Sequence, residues 1–370
     1  MADQTTSGTA ARASRVVDLR SDTLTKPTEE MYEALREAPL GDDVFHEDPT
    51  VNRLEAIAAE KTGKEAAMLV SSGTQGNIAA LLTHCPRGSE VILGAYTHIY
   101  NYEAGGMASM GGLMPRVIPD PDGYPPAAEV EAAIRPHDVH AAPTSLICLE
   151  NTHNRAGGAP IPLDQMAAIA DVGRRHSIPV HMDGARVFNA AVAQGVDVRE
   201  ITQHVDTLTF CLSKGLSSPV GSILCGSAEF IDRARQTRKM LGSGMRQAGW
   251  LAAAGIVSVE TLVKRLADDH ANARYLAERL AEIPGITIDP NQVPTNLIFF
   301  DVEGLGITAK EFVGKLATEG VRCNAPSKYR IRMVTYREIT REDVQYAAEA
   351  CARVAGGQVT ASTPVSVGSY

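Results

Sequence analysis

The chain has 370 residues, 44% of them hydrophobic and 21% charged, with a formal net charge of −9. That length and apolar content suit two domains with sizeable cores, and the acidic balance argues against a nucleic-acid partner. No apolar stretch approaches membrane-spanning length, which argues against a membrane protein. The 6 cysteines are scattered without a C-x-x-C pair, and at least three sit inside apolar runs. They read as free buried thiols of a reducing, cytoplasmic setting, and a metal site built from them is not expected.

In chain order, residues 1–15 are rich in Ser, Thr and Ala without an apolar centre, and predict a disordered leader. Ser21-Asp22-Thr23 reads as turn and capping chemistry. Helices are expected at 29–38 and 49–62, the second opened by Pro49. Ala67–Val70 reads as a buried strand. It is followed by the small, hydroxyl-rich turn Ser71-Ser72-Gly73-Thr74-Gln75 and an apolar helix from Gly76. Such a turn at a helix N-terminus is a ready anion site, although alone it reads first as a cap. Neither a P-loop nor a dinucleotide fingerprint is present. Val91–Leu93 is a further strand, and His98 follows among Tyr96, Tyr100 and Tyr102. His98 reads either as a core histidine or as a ring stacked on a flat cofactor. His137 and His140 lie in the loop before strand 145–149, which ends in the polar run Glu150-Asn151-Thr152-His153-Asn154.

Two strand ends carry the chemistry. Ile178–Met182 runs into Asp183 and then Arg186; Leu208–Leu212 runs into Ser213-Lys214-Gly215. Alone, Asp183 reads as a helix N-cap and Lys214 as a turn lysine. As a pair at the carboxyl ends of neighbouring parallel strands they face one ligand edge. A poorly solvated lysine amine loses its proton more readily and can attack a carbonyl. An aspartate beside it suits the ring nitrogen of pyridoxal phosphate.

The repeated strand–helix alternation predicts an α/β fold, a mostly parallel sheet flanked by helices. Strand 222–225 is expected to return antiparallel. The basic helix 228–241 and the loop 242–247 offer Lys239 and Arg246 as phosphate contacts, or simply as a solvated basic face. A long helical region at 250–282 is expected to open a smaller α+β domain with strands 296–302 and 329–335. On the second of these Arg330 and Arg332 share a face. The expected division is a leader 1–15, a large domain 16–250, a small domain 251–355 and a flexible tail 356–370.

Together the segments LRSDT (19–23), GDD (41–43), DPTVN (48–52), SGTQ (72–75), EAGG (103–106), LENTHN (149–154), HMDGAR (181–186), CLSKG (211–215), PVGS (219–222) and GMRQ (244–247) resemble the L-threonine aldolase family of fold-type I pyridoxal-phosphate enzymes. The resemblance spans roughly residues 16 to 355. It implies cleavage of L-threonine or L-allo-threonine to glycine and an aldehyde, and a homodimer or homotetramer with shared sites. Lys214 would hold the cofactor as a Schiff base and Asp183 its ring nitrogen. Gly73 and Thr74 would hold the phosphate, and His98 would stack on the ring. Ser21, Arg186 and Arg332 would grip the substrate carboxylate. His98 and His140 would lie near the β-hydroxyl, and Lys239 and Arg246 would come from a neighbouring subunit. Tyr336, Tyr96 and Ser243 depart from the family's usual residues, and some members resemble amino-acid racemases or transaldolases instead.

Overall fold

The short apolar runs of the sequence become strands where they are flanked by turn residues and buried on both faces, as Glu90–Gly94, Val180–Asp183, Thr207–Cys211 and Ser222–Gly226 are throughout. The structure, a computed structural model, describes residues 15–359. The leader, apart from Arg15, and the tail beyond residue 359 lie outside the described residues. The strands in chain order are β1 (Val17–Asp18), β2 (Ala66–Val70), β3 (Glu90–Gly94), β4 (Met114–Ile118), β5 (Thr144–Glu150), β6 (Val180–Asp183), β7 (Thr207–Cys211), β8 (Ser222–Gly226), β9 (Leu297–Asp301), β10 (Val321–Arg322) and β11 (Arg330–Val334).

Among the described residues two compact units form: Thr25–Leu266, and 15–24 with 267–359. The division falls sixteen residues later than the sequence places it, and the segment before Thr25 joins the C-terminal unit. That segment joins through a non-local pairing. Strand β1 lies parallel to β10, Val17 opposite Val321. The helical region expected at 250–282 is interrupted. A helix at Gly249–Val257 passes into a single π-helical turn at Ser258–Leu262, before a new helix at Leu266–Ala281. Within that turn the buried Ser258 Oγ donates to the Leu216 carbonyl at 2.8 Å.

In the larger unit seven strands form one sheet in the order β2-β8-β7-β6-β5-β3-β4. Strands β3 to β7 pair in parallel, and β8 runs antiparallel to both β7 and β2. Strand β2 therefore points the same way as β3–β7, and all of their carboxyl ends open at one edge. That is where an α/β sheet binds its ligands. Helices α1 (Glu29–Glu37), α2 (Pro49–Thr62) and α3 (Gly73–His84) precede or follow β2. Helix α3 packs its Gly76 against Thr209 of β7, where a Cβ would come within 2.6 Å of the threonine methyl. This close approach brings the polar residues of α3 down onto β6 and β7. The smaller unit has its own core around Leu19, Phe300, Phe312 and Met333, with β9 and β11 antiparallel. Among the described residues no helix is long and apolar enough to cross a membrane.

Helix α2 is fixed by a cap that also ties three segments together. The buried Asp48 Oδ1 accepts from the Thr50 and Val51 N–H groups at 3.1 and 3.0 Å. Its Oδ2 accepts from Gly249 at 2.9 Å and Gly41 at 3.2 Å. Pro49 stands at the first helical position and Gly63, at φ 64°, ends the helix. Removing the carboxylate orphans several buried donors at once. Asp48→Ala is expected to cost about 3 kcal/mol in urea denaturation, the sum of a cap and the stranded N–H groups. A loss under about 0.5 kcal/mol would contradict this account of the cap.

Candidate active site

Asp183 ends β6, and Lys214 follows the end of the adjacent strand β7. The lysine loop is held from several sides. Leu212 N–H donates to the Gly221 carbonyl at 3.1 Å and Ser218 N–H to the Leu212 carbonyl at 3.0 Å. Thr25 Oγ1 donates to the Lys214 carbonyl at 2.8 Å. Gly215 packs closely on Leu266, whose Cδ2 would lie 2.8 Å from a Cβ there and would have to shift to admit one. The lysine itself is half-buried.

Asp183 is only 3% exposed, so its carboxylate needs donors. Oδ2 accepts from Asn77 Nδ2 of α3 at 2.8 Å, and Oδ1 from the Ala185 N–H at 3.1 Å. Asn77 Nδ2 also donates to Glu103 Oε1 at 2.8 Å, and Glu103 Oε1 lies 3.0 Å from His98 Nδ1. Donor atoms of His98, Glu103 and Asp183 all fall within 4.8 Å of one another. The backbone N–H of His98 donates to Glu150 Oε2 at 2.5 Å, and Tyr102 tilts against its ring at 5.6 Å. Burial opposes charge on His98, but the Glu103 hydrogen bond and the nearby Asp183 outweigh it and raise its pKa. Burial raises Glu103 and Glu150.

At the start of α3, Ser72 Oγ accepts from the Gln75 N–H at 3.2 Å. The Gly73 and Thr74 N–H groups stand in the first turn, where a helix supplies no partner of its own. A Cβ on Gly73 would lie 3.0 Å from Cys211 Sγ and 3.8 Å from Ser222 Oγ. Ser222 Oγ is buried with no hydrogen-bond partner among the described residues, as is Thr209 Oγ1. Free helix N–H groups, a glycine cradle and an orphaned hydroxyl fit a phosphate. A buried carboxylate and a lysine at the neighbouring strand end fit a pyridine aldehyde bearing that phosphate.

The sequence also placed groups that the chain does not bring here. His140 is exposed and lies before the first residue of β5, with its N–H donating to Asp138 Oδ1 at 2.7 Å. It sits at the amino edge, with β5 between it and the carboxyl edge, so within one chain it does not join His98. Arg246 is exposed and pairs with Asp42 at 2.9 Å, and Lys239 is exposed beside Gly244. Arg186 is buried at the start of the helix Val187–Gln194, three residues past Asp183. Ser21 and Arg332 belong to the other unit. There Ser21 Oγ accepts from Thr23, and Arg332 donates to the Arg20 carbonyl. Sequence reasoning missed Asn77 and Glu103, and it placed Glu150 and His153 in a polar run at a strand end without giving either a role. The available signals were a polar residue within the apolar α3 face and the acids of two quoted motifs.

The family profile of the β-eliminating lyases matches residues 18–303. A low-specificity L-threonine aldolase of Escherichia coli is 45% identical over 331 residues, 89% of this chain and 96% of its own. Low-specificity L-threonine aldolase 1 of Arabidopsis thaliana is 44% identical over 337 residues, 90% and 94% of the two chains. The threonine aldolase structure from Leishmania major superposes with a TM-score of 0.79 at 17% identity, covering 91% of this chain and 99% of that one. By these matches the chain belongs to the β-eliminating lyase family. Within that family it stands with the L-threonine aldolases, on their fold.

His153 shows the electrostatics of the same edge. Its Nε2 lies 3.1 Å from Asp120 Oδ2, and both are buried. Burial works against charge on this ring, yet the Asp120 hydrogen bond and the charges of Glu150 and Asp183 raise its pKa. A raised pKa gives stability that is present below the ordinary histidine value, about 6.5, and lost as pH climbs through the folded value. The stability deficit of Asp120→Asn relative to the unmutated protein should therefore be largest near about pH 6 and shrink toward about pH 9. A deficit that is flat or grows with pH, measured by denaturant titration, would contradict the pairing.

Proposed function

We propose that the protein is a pyridoxal-phosphate-dependent L-threonine and L-allo-threonine aldolase, cleaving β-hydroxy-α-amino acids to glycine and an aldehyde. The observation that carries the reading is the buried, neutrally solvated Asp183 on the strand beside Lys214. Gly73, Thr74 and Ser222 would hold the phosphate, Asp183 the ring nitrogen's proton and Lys214 Nζ the carbonyl carbon. Bound in this way, the cofactor would supply an electron sink for the pair left on Cα when the Cα–Cβ bond breaks.

The chain's own groups do the rest. Arg186, buried and close in sequence to Asp183, would orient a carboxylate through its planar fork. His98, with Nδ1 on Glu103, offers Nε2 as the base for the β-hydroxyl proton. Its raised pKa makes Nε2 a stronger base than an ordinary imidazole. The carboxylate beside it also fixes the tautomer.

Exposed apolar side chains at Phe45 (67%), Met240 (70%) and Trp250 (55%) support self-association. In that assembly Lys239 and Arg246 would reach a neighbour's site. All six cysteines are free and buried, which supports a reducing, cytoplasmic setting.

The test is a product assay. Protein supplied with pyridoxal phosphate should release acetaldehyde and glycine from L-threonine and L-allo-threonine, and Lys214→Ala should abolish both. No aldehyde from either isomer, with solvent deuterium entering Cα of alanine, would replace this reading with a racemase.

A further inference from the structure

Behind Asn77, which holds Asp183, a chain of polar side chains runs away into the sheet through His181, Thr207 and His84. His84, at the end of α3, stacks on Phe230 with ring centroids 4.4 Å apart. Its Nε2 lies 2.9 Å from Thr207 Oγ1, which lies 2.9 Å from His181 Nδ1. His181 Nε2 lies 3.2 Å from Asn77 Oδ1, whose Nδ2 donates to Asp183 and Glu103. Asn77, His181 and Thr207 are each no more than 1% exposed.

The hydrogen-bond inventory fixes every proton in this chain. An ionised Asp183 only accepts, so Asn77 must present its amide nitrogen to it. Asn77 Oδ1 then only accepts, so His181 carries its proton on Nε2. His181 Nδ1 is thereby a bare acceptor, and Thr207 must turn its hydroxyl hydrogen toward it. Thr207 Oγ1 has a lone pair left for a proton on His84 Nε2. All four links point the same way, toward Asp183.

We propose that Thr207 and His181 are positioning residues that act through Asn77 to hold Asp183 as an oriented, uncompensated carboxylate. This rests on the cofactor reading above. The point of the arrangement is that its donors are neutral. A cation in the same place would satisfy Asp183 and spend its charge. A neutral amide fed by a neutral imidazole orients the carboxylate and leaves its charge for a ring nitrogen. Burial keeps both imidazoles neutral. His181 is pushed down to about 3, first by desolvation and then by His84. His84 is pushed down to about 4, again first by desolvation.

The variant Thr207→Val keeps the side-chain shape and deletes the hydroxyl, and Thr207→Ser restores it. Two readouts separate positioning from simple packing. In the apo-protein, 15N NMR of histidine-labelled protein should show His181 with a bare Nδ1 and a protonated Nε2. In the second, the dissociation constant for pyridoxal phosphate should rise about tenfold in Thr207→Val, the scale on which groups behind a ligating residue act, and return in Thr207→Ser. The NMR measurement needs no variant, so it stands even if Thr207→Val fails to fold. A protonated Nδ1 on His181, or unchanged cofactor affinity in a folded Thr207→Val, overturns the proposal while the cofactor reading stands. An unmutated protein that binds no pyridoxal phosphate overturns that reading and this proposal with it.

Discussion

A carboxylate almost wholly removed from water is the constraint around which the larger unit is arranged. Asp183 cannot be held as an anion at 3% exposure unless donors replace its hydration shell. The nearest donors are the Ala185 N–H on its own strand end and the Asn77 amide from α3. The second requires helix α3 to lie close on β6 and β7, which the small residues Gly73 and Gly76 permit. The same closeness sets the start of α3 beside the end of β7, where Ser222 Oγ and the helix N–H groups stand ready for an anion. The two halves of the site are therefore consequences of one packing decision.

Sheet topology then supplies the remaining groups. Because β3, β5, β6 and β7 run parallel, the segments after Gly94, Glu150, Asp183 and Cys211 meet at one edge although they are far apart in the chain. Glu150 receives the His98 N–H, Asp120 receives His153, and Asn77 bridges Asp183 to Glu103. These acids and imidazoles raise or restrain one another's proton affinity, as crowded functional edges do. A lysine entering that edge meets polarised, preorganised surroundings, not bulk water.

Much of this was legible because strand ends announce themselves. Asp183 and Lys214 each end an apolar run, and strand alternation with helices makes those ends coincide. The quoted segments carry the resemblance, and the relatives from Escherichia coli and Arabidopsis thaliana are similar over nearly the same span. What stayed hidden depends on three dimensions. His140 lies with His137 in a polar loop, but the loop precedes its strand, and only strand direction shows that it opens at the other edge. Asn77 sits on a helix whose other faces are apolar, so its partners appear only when α3 is laid on β6. The pairing of β1 with β10 joins residues some three hundred positions apart, and no local pattern encodes it.

The central claim is that Lys214, and no other amine, faces the cofactor across from Asp183. Borohydride reduction of the protein in the presence of pyridoxal phosphate, followed by peptide mass mapping, tests it directly. The account predicts a fixed pyridoxyl mass on the peptide carrying Lys214. Label on Lys64, whose amine is bonded to the Thr202 and Val205 carbonyls, or on Lys239, with Lys214 unmodified, would contradict it.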